Sequence, residues 1–175
     1  GGNAPTDSQI LKFTSAGEFI LQIGRAGQSG GSNATDNLGR PAGFTIDEHA
    51  NEVYVAAGYG NRRIIVFDNT TGAYKRHWGA YGETPHDEPL PAYDPDAEPI
   101  RQYRSPVHDV TISTDGLVYV ADRTNNRLQL FQKDGTFVQE AFIRPETLGS
   151  GSVSGVTLSE DSEQRWLFVP DGTNN

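Results

Sequence analysis

An internal repeat constrains the fold of this chain more than any other feature. The segment VYVAAGYGNRRIIVF, residues 53–67, has a close relative in VYVADRTNNRLQLF, residues 118–131. Each segment reads as two short apolar stretches joined by a polar turn. Extending the alignment gives two whole units, residues 38–79 and 104–143, and a repeated unit buries its apolar face against its neighbours. The chain must therefore fold by stacking similar small units.

Each whole unit reads as four short strands. In the second unit an Asp-Gly pair stands at residues 115–116 and another at 134–135. Asp-Gly favours tight hairpins because glycine accepts positive φ without steric cost. Two partial copies flank the whole units: residues 8–24 match its last two strands, and residues 151–175 match its first two strands. The strands expected in the second unit are Asp109–Ile112, Leu117–Ala121, Arg127–Phe131 and Phe137–Phe142.

These features predict an all-β fold. Glycine (20 residues) and proline (10 residues) are frequent, and β-branched and aromatic residues occur in short runs. A four-stranded antiparallel meander that repeats along a chain is typical of a β-propeller blade. We therefore expect residues 1–175 to form a single partial propeller of about three blade-equivalents, with a long acidic inter-blade loop at residues 80–103.

Charge and composition narrow the functional classes. The formal net charge is −9, from 14 basic against 23 acidic residues, and there is no cysteine. An acidic chain is a poor partner for nucleic-acid phosphates and for anionic membranes, so neither partner is expected. No apolar run is long enough to insert into a membrane. Disulfides, thiolate chemistry and cysteine-bound zinc are excluded.

The repeat resembles a known family. The order proline, small apolar strand, VYVAD, Asn-Arg, apolar-x-apolar-Phe and Asp-Gly is similar to that of NHL repeats, and it covers most of the chain outside the two inter-blade loops. The resemblance implies a six-bladed ring, which three blade-equivalents cannot close. We therefore expect the partners to include the remaining blades of a larger propeller or another copy of the chain. Such a propeller segment would also bind a peptide or protein ligand.

The repeat geometry brings three side chains to one rim of the propeller. His108 precedes the first strand of its blade, and Arg123 follows the second strand. Antiparallel pairing places the start of one strand beside the end of the next. Tyr59 occupies the turn of the preceding blade that corresponds to Arg123. The three side chains are therefore expected around a common pocket at the central channel. The Asn-Arg pieces are interpreted as structural, with Arg63 and Arg127 bracing the turns.

This trio resembles the peptidyl-α-hydroxyglycine α-amidating lyase propeller. The resemblance implies that His108 is one ligand of a zinc ion, that Tyr59 is the catalytic base and that Arg123 is an active-site arginine. It also implies an exported protein, periplasmic or secreted. Ala42 and Ser154 stand where neighbouring blades would repeat His108, so this chain supplies one of the three ligands that a catalytic zinc normally needs. Ala57 stands where the sister blade has Asp122.

Two functions follow from these observations and stay open. The first is an NHL propeller segment whose parent site resembles a zinc-dependent amidating lyase, inactive in isolation. The second is a non-catalytic scaffold that binds a protein, peptide or glycan on its rim. Fold alone does not decide between them. The acidic loop could also supply oxygen ligands to calcium, although its spacing matches no calcium loop; these carboxylates are Asp87, Glu88, Asp94, Asp96 and Glu98.

Overall fold

The structure is a computed structural model that describes residue 4 and residues 6–172. Residues 173–175, the end of the expected half unit 151–175, lie outside the described residues. The described part of the chain contains twelve strands and two short 3-10 turns, at Ala80–Gly82 and Arg123–Asn125. The strands are β1 Gln9–Phe13, β2 Phe19–Gly24, β3 Gly43–Asp47, β4 Glu52–Ala57, β5 Arg63–Asp68, β6 Tyr74–Trp78, β7 Val107–Ile112, β8 Val118–Asp122, β9 Arg127–Phe131, β10 Phe137–Phe142, β11 Thr157–Leu158 and β12 Leu167–Phe168.

The strands form four separate antiparallel sheets in chain order. Strands β3–β4–β5–β6 and β7–β8–β9–β10 are four-stranded meanders, whereas β1–β2 and β11–β12 are two-stranded. The two four-stranded sheets are consecutive blades of a propeller whose ring is not closed. The prediction of an all-β, partial propeller is therefore confirmed. The expected strands of the second unit agree with β7–β10 to within two residues at every end.

The hydrophobic core is divided into three clusters, and each cluster lies between two consecutive sheets. The largest joins the two whole blades, with Tyr54, Val66 and Trp78 on one side and Val110 and Phe131 on the other. A second cluster packs β1 and β2 against the first whole blade, and a third packs the second whole blade against the C-terminal pair of strands. This arrangement of similar sheets, each packed against the next, is the repeat architecture that the sequence indicates.

Burial falls from the middle of each blade to its outer strand. All six residues of β4 and all five residues of β9 are buried, because sheets on both sides cover these strands. The outermost strands β6 and β10 keep exposed positions. A strand covered on both faces reads as a continuous apolar run, and a half-covered strand alternates, which is why the sequence shows both patterns.

The tight turns adopt the backbone conformations that their residues allow. Gly116 and Gly135 of the two Asp-Gly pairs have φ values of 89° and 94°. Asn126 closes the 3-10 turn Arg123–Asn125 in the left-handed region, at φ 54° and ψ 36°. Asparagine tolerates this conformation better than most residues do. In the described residues no helix is long and apolar enough to cross a membrane.

Candidate functional site

Tyr59 and His108 meet at one rim of the propeller. Tyr59 follows β4 in the first whole blade, and His108 is the second residue of β7 in the second blade. The Tyr59 hydroxyl lies 3.1 Å from His108 Nε2, and the two rings meet edge to face with centroids 5.7 Å apart. Both side chains are half-buried. The structure thus brings together two of the three side chains that the sequence assigns to a common pocket.

A backbone carbonyl selects the tautomer of His108. His108 Nδ1 lies 2.6 Å from the carbonyl oxygen of Ser154, which can only accept a hydrogen bond. In the neutral imidazole the proton is therefore on Nδ1, and the lone pair of Nε2 accepts a hydrogen bond from the Tyr59 hydroxyl group. A histidine that donates one ring N–H to a carbonyl and keeps the other nitrogen free of a proton has the form of a metal ligand or a general base.

The surroundings of His108 favour its neutral form. Burial lowers the pKa of His108 below its ordinary value of 6.5, and the positive charge of Arg123 acts in the same direction. The hydrogen bond to Ser154 and the negative charge of Asp109 oppose this lowering of the pKa. His108 is consequently uncharged at neutral pH, which is the state that a metal ligand or a proton acceptor requires.

Arg123 lies close enough to His108 for its charge to act on the imidazole. It begins the 3-10 turn after β8, and its Nε is buried with no hydrogen-bond partner among the described residues. A Cβ added to Gly172 would lie 3.8 Å from this Nε. The positive charge of Arg123 thus acts on His108 and favours its neutral form. The roles assigned to the three side chains stay predictions.

Contacts to the backbone hold the turn that carries Tyr59. Arg40 Nη2 donates a 2.7 Å hydrogen bond to the Tyr59 carbonyl, and Ser105 Oγ donates to the Gly58 carbonyl at 2.8 Å. The residue types alone did not indicate the contacts of Arg40, Ser105 and the Ser154 carbonyl. These contacts involve main-chain carbonyls, either of the same blade, as for Arg40, or of a neighbouring unit, as for Ser105 and His108, and such carbonyls leave no signature in the residue types. The turn is thus held in place although Ala57 cannot supply a carboxylate.

A catalytic zinc normally requires three protein ligands arranged around one point. Among residue 4 and residues 6–172, no group of three or more histidine, aspartate or glutamate side chains is arranged to hold a metal ion. The tautomer of His108 fits a zinc ligand, but a catalytic zinc needs further ligands that this part of the chain does not supply.

In the acidic loop, Asp87 accepts hydrogen bonds from Ser32 N at 2.8 Å and Ser32 Oγ at 2.5 Å.

Comparison with known proteins gives one family match and several relatives. Residues 107–131 match the family model of the NHL repeat. Peptidyl-glycine alpha-amidating monooxygenase B of Xenopus laevis is 34% identical over 134 residues, which are 75% of this chain and 14% of that protein. NHL repeat-containing protein 3 of Mus musculus is 28% identical over 175 residues, which are 98% of this chain and 41% of that protein. The chain therefore spans less than half the length of these relatives.

Among solved structures, a gluconolactonase from Xanthomonas campestris aligns with a TM-score of 0.49 and 18% sequence identity. The alignment covers 78% of this chain and 36% of the gluconolactonase chain.

Proposed function

We propose that this chain, which contains an NHL repeat, is part of a larger propeller whose rim site resembles that of a peptidyl-α-hydroxyglycine α-amidating lyase. The observation that carries the proposal is the Tyr59–His108 hydrogen bond, with His108 held in one tautomer by Ser154 and with Arg123 beside it. The similarity to two proteins named peptidyl-glycine alpha-amidating monooxygenases supports a role in peptide alpha-amidation. The remaining blades, or a second copy of the chain, would complete the ring.

The reaction class is the cleavage of a carbon–nitrogen bond. A peptidyl-α-hydroxyglycine loses the proton of its hydroxyl group, the bond from the α-carbon to the amide nitrogen breaks, and this nitrogen takes up a proton. The products are a peptide amide and glyoxylate. Tyr59 has a hydroxyl positioned to exchange protons at the rim, and Arg123 has the planar cationic group that pairs well with the substrate carboxylate.

In this proposal His108 would bind zinc through Nε2. When bound, zinc would polarise the substrate oxygen and stabilise its negative charge. Because Nε2 has one lone pair, a metal there would require the Tyr59 hydroxyl to leave that nitrogen. Tyr59 would then be released toward the substrate. The other zinc ligands would come from outside the described residues, so we expect this chain alone to be inactive or nearly so. An exported location belongs to the same proposal.

A second function is a non-catalytic scaffold that binds a protein, peptide or glycan at the rim. The described part of the chain favours it, because no group of three potential metal ligands is found there and a catalytic zinc normally needs three protein ligands. The similarity to NHL repeat-containing protein 3 covers nearly the whole chain and is compatible with either function.

The deciding experiment measures glyoxylate release from a synthetic peptidyl-α-hydroxyglycine by the natural protein that contains this chain, with its zinc content. We expect zinc-dependent release that His108→Ala abolishes and Arg123→Met weakens, because substrate carboxylate binding is lost. His49→Ala is the matched control, since His49 lies in the exposed turn between β3 and β4. A folded, zinc-loaded protein that releases no glyoxylate above the uncatalysed rate would overturn the lyase proposal and leave the scaffold function.

A further inference from the structure

A cavity lies between the acidic loop and the second whole blade. Its volume is about 580 Å³, within the range of small-ligand sites. It is distinct from the Tyr59–His108 pair, and neither of those residues lines it. Most of its wall is apolar, formed by Pro91, Pro95, Pro99, Ile100, Phe142 and Pro145. Proline has no backbone N–H, so four of these six residues bring apolar surface and a carbonyl but no backbone donor.

The neutral side-chain donors of this cavity already donate within the protein. The Tyr93 hydroxyl donates to the Pro145 carbonyl at 2.7 Å. Asn125 Nδ2 donates to the Gln102 carbonyl at 3.0 Å. A ligand that needs to accept hydrogen bonds would have to compete with these contacts, each of which also fastens the loop to the blade.

The two cationic side chains of the cavity wall are similarly engaged. Arg127 is buried and pairs with Asp122, with Nε 2.8 Å from Oδ2. The terminal nitrogens of Arg104 donate to the carbonyls of Pro91 and Ala92. Arg104 thereby closes the loop onto the blade, and the charge of Arg127 is balanced by its carboxylate. Arg104 keeps its positive charge, because its acceptors are neutral carbonyls and its Nε has no hydrogen-bond partner among the described residues.

The acidic side chains of the cavity wall are exposed, unlike the buried Arg127. Asp94 and Glu98 both line the cavity and are exposed, and within the described residues neither takes part in an ion pair. The chain as a whole carries a net charge of −9. The cavity therefore combines an apolar wall with two carboxylates that outnumber the one arginine without an ion pair, and it favours a ligand with an apolar stem and a cationic head.

We propose that this cavity binds a lysine or arginine side chain of a peptide partner. Such a side chain has an aliphatic stem that packs on apolar surface and a charged head that stays near water. The stem would lie against the proline rings and Phe142, and the head would face Asp94 and Glu98. The volume leaves room for neighbouring peptide atoms as well. The proposal does not depend on the lyase function, because none of Tyr59, His108 and Arg123 lines the cavity.

The test is a titration of the purified chain with short peptides, monitored through the NMR chemical shifts of its backbone amides. The probe is an N-acetylated, C-amidated tripeptide with lysine at its centre, and the comparison peptides carry norleucine or glutamate there. We expect the lysine peptide to shift amides of the 91–104 segment and to bind about three- to tenfold more tightly than the norleucine peptide. The glutamate peptide should bind more weakly than both.

Variants of the chain separate the cavity from the general negative charge. Asp94→Asn combined with Glu98→Gln should weaken binding of the lysine peptide about three- to tenfold. Asp96→Asn removes the same type of charge from the same loop without touching the cavity wall, so its effect should be smaller. Equal binding of the norleucine peptide, no binding at millimolar concentration, or an equal loss in Asp96→Asn would overturn the proposal.

Discussion

Ala57 and Asp122 occupy the same position in the two whole blades, and this difference changes how two buried arginines are held. Arg127 Nε donates to Asp122 at 2.8 Å. Arg63 is equally buried, but its Nε has no hydrogen-bond partner among the described residues. Its terminal nitrogens instead donate to three carbonyls within residues 32–37. Because Ala57 provides no carboxylate, Arg63 instead binds the carbonyls of the preceding inter-blade loop.

Removing the carboxylate of the second blade should destabilise the protein strongly. Asp122→Ala leaves the fully buried Arg127 with only the longer, 3.5 Å ion pair to Glu140, and we expect a loss of about 3–5 kcal/mol in the free energy of unfolding. Chemical denaturation measures this loss. Glu48→Ala is the control, because Glu48 is exposed and should change the free energy by less than about 0.5 kcal/mol. A similar, small change in both variants would contradict the importance of this ion pair.

His108 should contribute to the pH dependence of stability. Its pKa is lowered in the folded protein from the ordinary 6.5, mainly by burial. As pH falls below about 6.5 the unfolded chain takes up the proton before the folded protein does, so stability is lost on acidification until the folded pKa is passed. Denaturation at pH 7.5 and pH 5 should show a smaller loss in His108→Gln than in the wild type. An equal loss in both proteins would contradict the lowered pKa.

At the scale of elements, the two inter-blade loops hold each other in place. Asp87 of the acidic loop accepts two hydrogen bonds from Ser32 of the earlier loop. Arg63 of β5 binds the carbonyls beside Ser32, and burial lowers its pKa to about 10 while the charge of Asp87 opposes this lowering. Polar contacts thus tie the two loops to one another and to β5, in addition to the apolar packing of Ala80 and Tyr103 in the core.

Removing the hydrogen bonds between Asp87 and Ser32 should loosen both loops without unfolding the blades. Asp87→Ala removes the acceptor of two hydrogen bonds and should lower the free energy of unfolding by about 1–3 kcal/mol. Hydrogen exchange should become faster at the amides of residues 30–37, including Ser32. Glu88→Ala is the matched control, because Glu88 contributes only its backbone carbonyl to a hydrogen bond. Unchanged exchange in Asp87→Ala would show that other contacts order the loops.

At the scale of the whole molecule, the two-stranded sheets expose positions that the whole blades bury. Phe131 ends β9 and Phe67 is the penultimate residue of β5, and the two residues are 0% and 2% exposed. Phe13, at the corresponding end of β1, is 50% exposed. Phe168 in β12 is 57% exposed, and its sheet lacks the two strands that would complete a blade. These surfaces indicate assembly with further strands.

Self-association of the isolated chain should therefore depend on these strands. Phe13→Ser combined with Phe168→Ser should lower the average mass measured by light scattering at high protein concentration, because exposed apolar strands promote association. Leu148→Ser provides the control: Leu148 is also 57% exposed but lies in a loop. A wild-type chain that stays monomeric under these conditions would contradict the prediction.

The sequence determined the fold class and the order of the blades. Its repeat, its Asp-Gly turns and its apolar runs are local features, and local features set strand length, turn type and which strands are neighbours. The same register also placed Tyr59 and His108 at one rim. The left-handed conformation of Asn126 follows from its residue type and position.

Only the tertiary structure decided what the polar side chains contact. The Ser154 carbonyl that selects the tautomer of His108 and the Arg40 contact to Tyr59 join separate parts of the chain. The apolar cavity beneath the acidic loop was equally invisible, since residues 80–103 have no periodicity from which a path could be read. Backbone carbonyls are chemically identical at every position, so their partners depend on how the blades and loops pack together in space.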